Sequence, residues 1–126
     1  MADLLTIQQI RVDETIVPEQ LEEKTTIVHC TLEKQLMVRM WPTTFLVQND
    51  GVRKQMVQLY NICLYPEWQW VDAGHQFTLV FEGLSDGCTS FDLLEEAAEP
   101  GGFLVKNIRR NGTDVYYLEI GLQNLQ

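Results

Sequence analysis

The sequence predicts an all-β fold, and three observations carry that prediction. Val, Ile, Thr, Phe, Tyr and Trp recur in short runs, a composition that suits a pleated, half-buried surface. Within the runs apolar and polar positions alternate, the period of two of a strand with one buried face. Turn-forming Gly, Asn and Asp punctuate the chain roughly every 8–12 residues with no long helical period, the spacing of an all-β sandwich or barrel. A length of 126 residues fits one domain spanning 1–126. A chain of that size buries about two-thirds of its unfolded surface, enough for one core.

Taken in order, residues 4–12 read as a first strand of mixed polarity. Residues 18–24, PEQLEEK, read as a loop or one helical turn: Pro18 suits a first helical position, but the segment is too short to stand alone. The stretch 25–32 alternates, with Val28, Cys30 and Leu32 on one face and Ile27, His29 and Thr31 on the other. Residues 35–41 repeat the pattern with Leu36, Val38 and Met40, and the intervening Glu33-Lys34 is short enough for a hairpin. A short strand at 45–48 ends at Asn49-Asp50-Gly51, a turn signal because Asn and Gly tolerate positive φ. Residues 55–65 are broadly apolar, the pattern of a central strand covered on both faces, and 66–74 read as a loop carrying Trp68 and Trp70.

The clearest strand is HQFTLVFEG, where Phe77, Leu79 and Phe81 alternate with Gln76, Thr78, Val80 and Glu82. Gly83 then opens a turn through Ser85, Asp86 and Gly87 before a second alternating run at 89–94, which predicts a hairpin. Strands at 103–108 and 115–120 close the chain, and the Asn111-Gly112 between them is its best two-residue hairpin signal. The same Asn111-Gly112-Thr113 matches a glycosylation sequon, which the turn explains without export. The expected core brings Phe77, Leu79 and Phe81 together with Val28, Leu32, Leu36 and Val38.

Charge and cysteine usage exclude several classes. With 18 acidic against 9 basic residues the net charge is −9. Such a surface repels phosphate backbones, which Lys and Arg clusters hold. The adjacent basic pairs, Arg53-Lys54 and Arg109-Arg110, are too few for a nucleic-acid footprint, and anionic membranes are disfavoured on the same ground. No stretch of about 18 apolar residues is present to form a membrane helix. MADLLTIQQIRVDE lacks the basic and apolar regions of a secretory signal. Cys30, Cys63 and Cys88 are odd in number and widely spaced, which argues for free thiols in a reducing, cytoplasmic setting. Export would follow only if a signal segment had been removed.

The order of strand phrases carries a resemblance. Thr25-Thr26-Ile27-Val28 opens one strand, and Thr44-Phe45-Leu46-Val47-Gln48-Asn49-Asp50-Gly51 forms another with its turn. Asn61-Ile62-Cys63-Leu64 precedes Phe77-Thr78-Leu79-Val80-Phe81-Glu82-Gly83-Leu84. Ser90-Phe91-Asp92-Leu93-Leu94-Glu95 and a Gly102-Phe103 strand reaching Asn107-Ile108 complete the series. Over residues 25–108 this resembles an uncharacterised bacterial immunoglobulin-like β-sandwich domain with an FTLVFEPLP…SFDLIEG pattern. The resemblance implies an antiparallel immunoglobulin-like sandwich and supplies no catalytic residues. The chain departs from it at Ser85-Asp86-Gly87, where a proline-containing turn is usual, and at Glu96, where glycine is frequent.

Candidate chemistry is sparse. His29 and Cys30 are strand neighbours facing opposite ways, so they form no thiolate–imidazole pair. Cys30, Cys63 and Cys88 read as small core residues. Two histidines and three scattered cysteines suggest no metal site, and no cofactor motif is present. The acids Asp92, Glu95, Glu96 and Glu99 are interrupted by Leu and Ala, unlike a calcium loop, and read as a solvated strand end. The candidate ligand-binding residues are Tyr65, Trp68 and Trp70. Trp68 and Trp70 are two apart and project to one side of an extended segment near Tyr65. Such rings stack on sugars or form protein hot spots; the commoner alternative is a mostly buried pair capping one end of the core.

The expectation is therefore a non-catalytic binding domain presenting loops, chiefly 66–74, to a protein or carbohydrate. The alternatives are a hydrolase using the acidic 92–99 segment, or a structural accessory unit pairing through an edge strand.

Overall fold

The computed structural model describes residues 24–126, so the expected strand at 4–12 and the segment 18–23 lie outside the described residues. The strands are β1 (Thr25–Leu32), β2 (Leu36–Val38), β3 (Thr44–Gln48), β4 (Arg53–Tyr60), β5 (Gln69–Val71), β6 (Gln76–Glu82), β7 (Ser90–Glu95), β8 (Leu104–Arg109) and β9 (Val115–Ile120). A single 3₁₀ turn over Leu122–Asn124 follows. The all-β prediction holds. Seven strands form one sheet in the order β8-β7-β3-β4-β6-β1-β9, and β2 and β5 form a separate two-stranded ribbon.

The sheet is mixed and curls nearly into a barrel. β1 pairs antiparallel with β6 but parallel with β9, from Ile27 opposite Val115 to Leu32 opposite Ile120. A wholly antiparallel sheet is thus corrected at that pair. The curl brings the two edges together beyond the regular ladder, where Phe103 bridges Leu125.

Which strands pair differs from the hairpins expected. Asn49-Asp50-Gly51 does join β3 to β4, with Gly51 at φ 89° and Gln48 N–H donating to the Val52 carbonyl at 2.8 Å. The Glu33-Lys34 link is not a hairpin, because β2 pairs with β5. Gly83 to Gly87 is not one either: both edges of β6 are taken, by β1 and β4, and the chain crosses to β7 beside β3. Asn111-Gly112 likewise joins the two outermost strands, β8 and β9, which bond to β7 and β1. This crossing is held by side chains. Asn111 Oδ1 accepts from the Asp114 N–H at 2.7 Å, and Arg110 bridges Asp114 at 2.9 Å while donating to the Ser85 carbonyl at 2.6 Å.

Two boundaries also shift. β4 ends at Tyr60, before Asn61 at φ 65°, and most of its residues are half-buried, so it is not covered on both faces. The expected loop 66–74 contains β5 and places Trp70 on a strand.

The alternation itself is accurate. Val28, Leu32, Val38, Phe77, Leu79 and Phe81 are buried, joined by Leu46, Met56, Phe91 and Leu93, while Leu36 is half-buried against them. Two of the buried polar residues, Thr44 and Gln48, are hydrogen-bonded, as burial demands. Thr44 Oγ1 donates to the Trp41 carbonyl at 2.6 Å, and Gln48 Oε1 accepts from the Ser85 N–H at 2.8 Å.

Cys30, Cys63 and Cys88 are free thiols. Burial pushes the Cys30 thiol up to about 12, and Cys88 is buried with its thiol donating to the Ser90 carbonyl at 3.3 Å. Cys63 is only half-buried, which corrects its reading as a core residue. Thiol titration of denatured, unreduced protein should recover three groups, and in the native state Cys63 should react first. Recovery of a single thiol would mean a disulfide and remove the argument for a reducing compartment.

Candidate functional site

The β2–β5 ribbon sets the three candidate rings against the rest of the molecule. Its register opposes Leu36 to Val71, Met37 to Trp70 and Val38 to Gln69. Because successive strand residues face opposite ways, Leu36, Val38 and Val71 turn inward and Met37 and Trp70 turn out. Continuing the alternation puts Arg39 and Trp68 on the same outer side. Trp68 is 51% exposed, Trp70 59% and Tyr65 38%, with Met37 at 47%. A core cap is excluded by those values.

Arg39 supports this face. Its guanidinium lies 3.9 Å from the Trp68 ring centroid and 4.6 Å from that of Tyr65, whose ring in turn stacks on Trp41 at 4.0 Å. It donates to Glu99 Oε2 at 2.7 Å and to the Pro66 carbonyl at 3.0 Å. The side chain is only 9% exposed, and its Nε is buried without a partner. Cation–π contacts of a partly desolvated Arg contribute about 1–2 kcal/mol. Arg39 therefore spends its charge inside the protein, holding Trp68 and Tyr65 in place. Trp70 and Met37 extend this exposed surface along the ribbon.

Beside it a cleft of about 160 Å³ runs between Arg39, Trp41, Trp68, Glu95, Glu99 and Phe103. Glu95 is 3% exposed, so the reading of 92–99 as wholly solvated fails there. Its oxygens accept from two backbone N–H groups, Trp41 at 2.8 Å and Phe103 at 3.1 Å. Gly102 makes the second possible, since a Cβ there would collide with the Glu95 carbonyl. Desolvation pushes the Glu95 carboxyl up to about 7 against those hydrogen bonds and the Arg39 charge.

The other acids of the segment are each turned to a different partner. Asp92 accepts from the Asn107 N–H at 2.9 Å, Glu96 pairs with Arg53 at 2.8 Å, and Glu99 is the counter-ion of Arg39. Hydrolysis by paired carboxylates needs two that flank one bond. Here each carboxylate has a bonding task of its own. Among the described residues no group of three or more His, Cys, Asp or Glu is placed to hold a metal ion.

Sequence reasoning singled out Tyr65, Trp68 and Trp70 but favoured burial for the two tryptophans, and it missed Met37, Arg39 and Trp41 beside them. The missing signal was strand pairing, since those residues reach Trp68 and Trp70 only through the ribbon. No protein-family model, curated protein or solved structure matches the chain.

Proposed function

We propose that the protein is a non-catalytic binding domain whose outer ribbon face, Met37, Tyr65, Trp68 and Trp70, receives a protein partner. The observation that carries this reading is the exposure of two tryptophans and a methionine on one face. Trp, Tyr and Met are enriched where proteins meet, and large rings bury area there at low entropic cost. Arg39 supports the reading by holding Trp68 and Tyr65 before a partner arrives, which reduces the cost of ordering on binding. A protein partner fits this face better than a sugar, because the outward side chains offer few hydrogen-bonding groups. The immunoglobulin-like sandwich is part of the same proposal. Short strands joined by crossovers support it, and the resemblance to the bacterial domain adds to it.

The test uses substitution first. Trp70→Ala should change stability by under about 0.5 kcal/mol, as exposed changes do. Trp68→Ala should cost more, about 1–2 kcal/mol, because Arg39 loses its stacked ring. A photo-crosslinking residue at Met37 would then identify a partner in the native host. With that partner purified, Trp70→Ala should weaken binding by about 2 kcal/mol or more, the cost of a hot spot. A partner that binds both tryptophan variants as it binds the natural protein would overturn the reading.

A further inference from the structure

A second surface lies on the outer side of β9, β1, β6 and β4, on different strands from the aromatic ribbon. The registers align one outward residue from each strand into a single row: Tyr60 opposite Thr78, Thr78 opposite His29, and His29 opposite Tyr117. An open groove of about 570 Å³ follows the Thr78, His29 and Tyr117 part of this row, with Gln76, Asn61 and Glu119 along its side. That volume falls within the about 300–1,000 Å³ of small-molecule sites.

The chemistry of the groove is specific. Tyr117 is 78% exposed although it lies within a strand, and its ring stacks on His29 with centroids 4.9 Å apart and planes at 28°. One face of the ring is thus braced and the other is open. His29 is itself anchored, its Nδ1 within 2.8 Å of Thr78 Oγ1, which leaves Nε2 as the ring's remaining polar atom. Asn61 is fixed by donating to the Gln76 carbonyl at 2.6 Å, leaving its own side-chain oxygen as an acceptor. The site therefore combines a held aromatic face with uncharged donors and acceptors, and among the described residues Glu119 is the one charged side chain lining it.

We infer that this groove binds a neutral oligosaccharide. The C–H face of a sugar ring is apolar and stacks on an aromatic ring, while its hydroxyls both donate and accept, matching Asn, Gln, Thr and His side chains. Charge narrows the class. Among the described residues no Lys or Arg lines the groove, and Glu119 with the net charge of −9 repels anionic ligands. A basic peptide would find only one carboxylate among the described residues. The inference does not rest on the ribbon reading, because the two surfaces share no residue.

Isothermal titration and amide NMR shifts would test it, using neutral hexasaccharides of glucose, xylose and mannose with hexagalacturonate as the acidic control. At least one neutral hexasaccharide should bind, with shifts grouped on β1, β6 and β9. Tyr117→Ala should weaken that binding about tenfold or more, the worth of one aromatic stack, at an unchanged melting temperature. Thr78→Val should weaken it as well, by releasing His29. Trp70→Ala should leave it intact. Absence of binding by all three sugars, full affinity in Tyr117→Ala, or tighter binding of the acidic control would each overturn the inference. Loss of binding in Trp70→Ala but not in Tyr117→Ala would do the same and assign the sugar to the ribbon, a result that bears separately on the protein-partner reading.

Discussion

Leu79→Ala is expected to lose about 2–5 kcal/mol of stability, the range for removing a fully buried leucine. Leu79 is wholly buried at the middle of β6, with Val28 opposite it on β1 and Leu59 on β4. Phe77 and Phe81, both buried, lie two residues away on the same face. β6 is bonded along both edges, so its backbone has little freedom to collapse into the space left behind. The upper part of the range is therefore expected. Val80→Ala makes the matched control, since Val80 is half-buried on the opposite face. It should cost about 1 kcal/mol, the common effect of a partly buried substitution. A slip of one residue in register would exchange the two faces and the two outcomes. Equal losses in both variants, or a larger loss in Val80→Ala, would contradict the assigned burial.

The contrast between these two neighbours marks what the sequence could express. Alternation declares which side chains face inward, and that reading was accurate along β1 and β6, with Val28, Cys30 and Leu32 inside and His29 turned out. Partner choice is another matter. Every strand has two edges, and a turn such as Ser85-Asp86-Gly87 specifies local backbone, not which strand lies beyond it. The Asn111-Gly112 signal misled for that reason. Its residues do form a tight local structure, with Asn111 bonded to Asp114, but the strands it joins end at opposite edges of the sheet. Asn49-Asp50-Gly51 succeeded because β3 and β4 also complement each other as neighbours.

The binding face was legible only in part for the same reason. The spacing of Trp68 and Trp70 placed both rings on one side, but whether that side met water depended on β2, which is distant in sequence. Arg39 reads in the sequence as an isolated charge. Its role arises from three rings and a carboxylate brought in by other segments. Glu95 is the opposite case. It was read with its acidic neighbours, although Phe91 and Leu93 already predicted its inward direction. The charge run outweighed the alternation in the reading, and the fold followed the alternation.

Glu95 should make the protein less stable as pH rises through the near-neutral range. Burial raises the folded-state carboxyl from its ordinary 4.5 to about 7, despite hydrogen bonds from Trp41 and Phe103 and the Arg39 charge, all of which lower it. A group whose pKa is higher in the folded state binds more protons there than in the unfolded chain. Its stabilising contribution is therefore complete below about 4.5 and is lost as pH climbs toward 7. At about 1.4 kcal/mol per pKa unit the whole change is about 3 kcal/mol. Asp50 and Glu96 act in the other sense, held low by the Val52 N–H and by Arg53 respectively. Their contributions are present above the ordinary carboxylate range and fade as pH falls through it, so stability should peak in mildly acid solution. Urea melts at about pH 5 and about pH 8 would measure the slope. Glu95→Gln separates this site from all others. Its amide oxygen can accept from Trp41 or from Phe103, but its NH₂ then faces the other N–H and leaves a buried donor unpaired. That costs about 1–3 kcal/mol at acid pH, where the natural side chain is neutral. In exchange the variant cannot ionise, so its stability should be nearly level between the two pH values and should approach that of the natural protein at the higher one. A pH slope that survives in Glu95→Gln would assign the effect to another group, and a natural protein equally stable at both pH values would show that Glu95 titrates as an ordinary carboxylate.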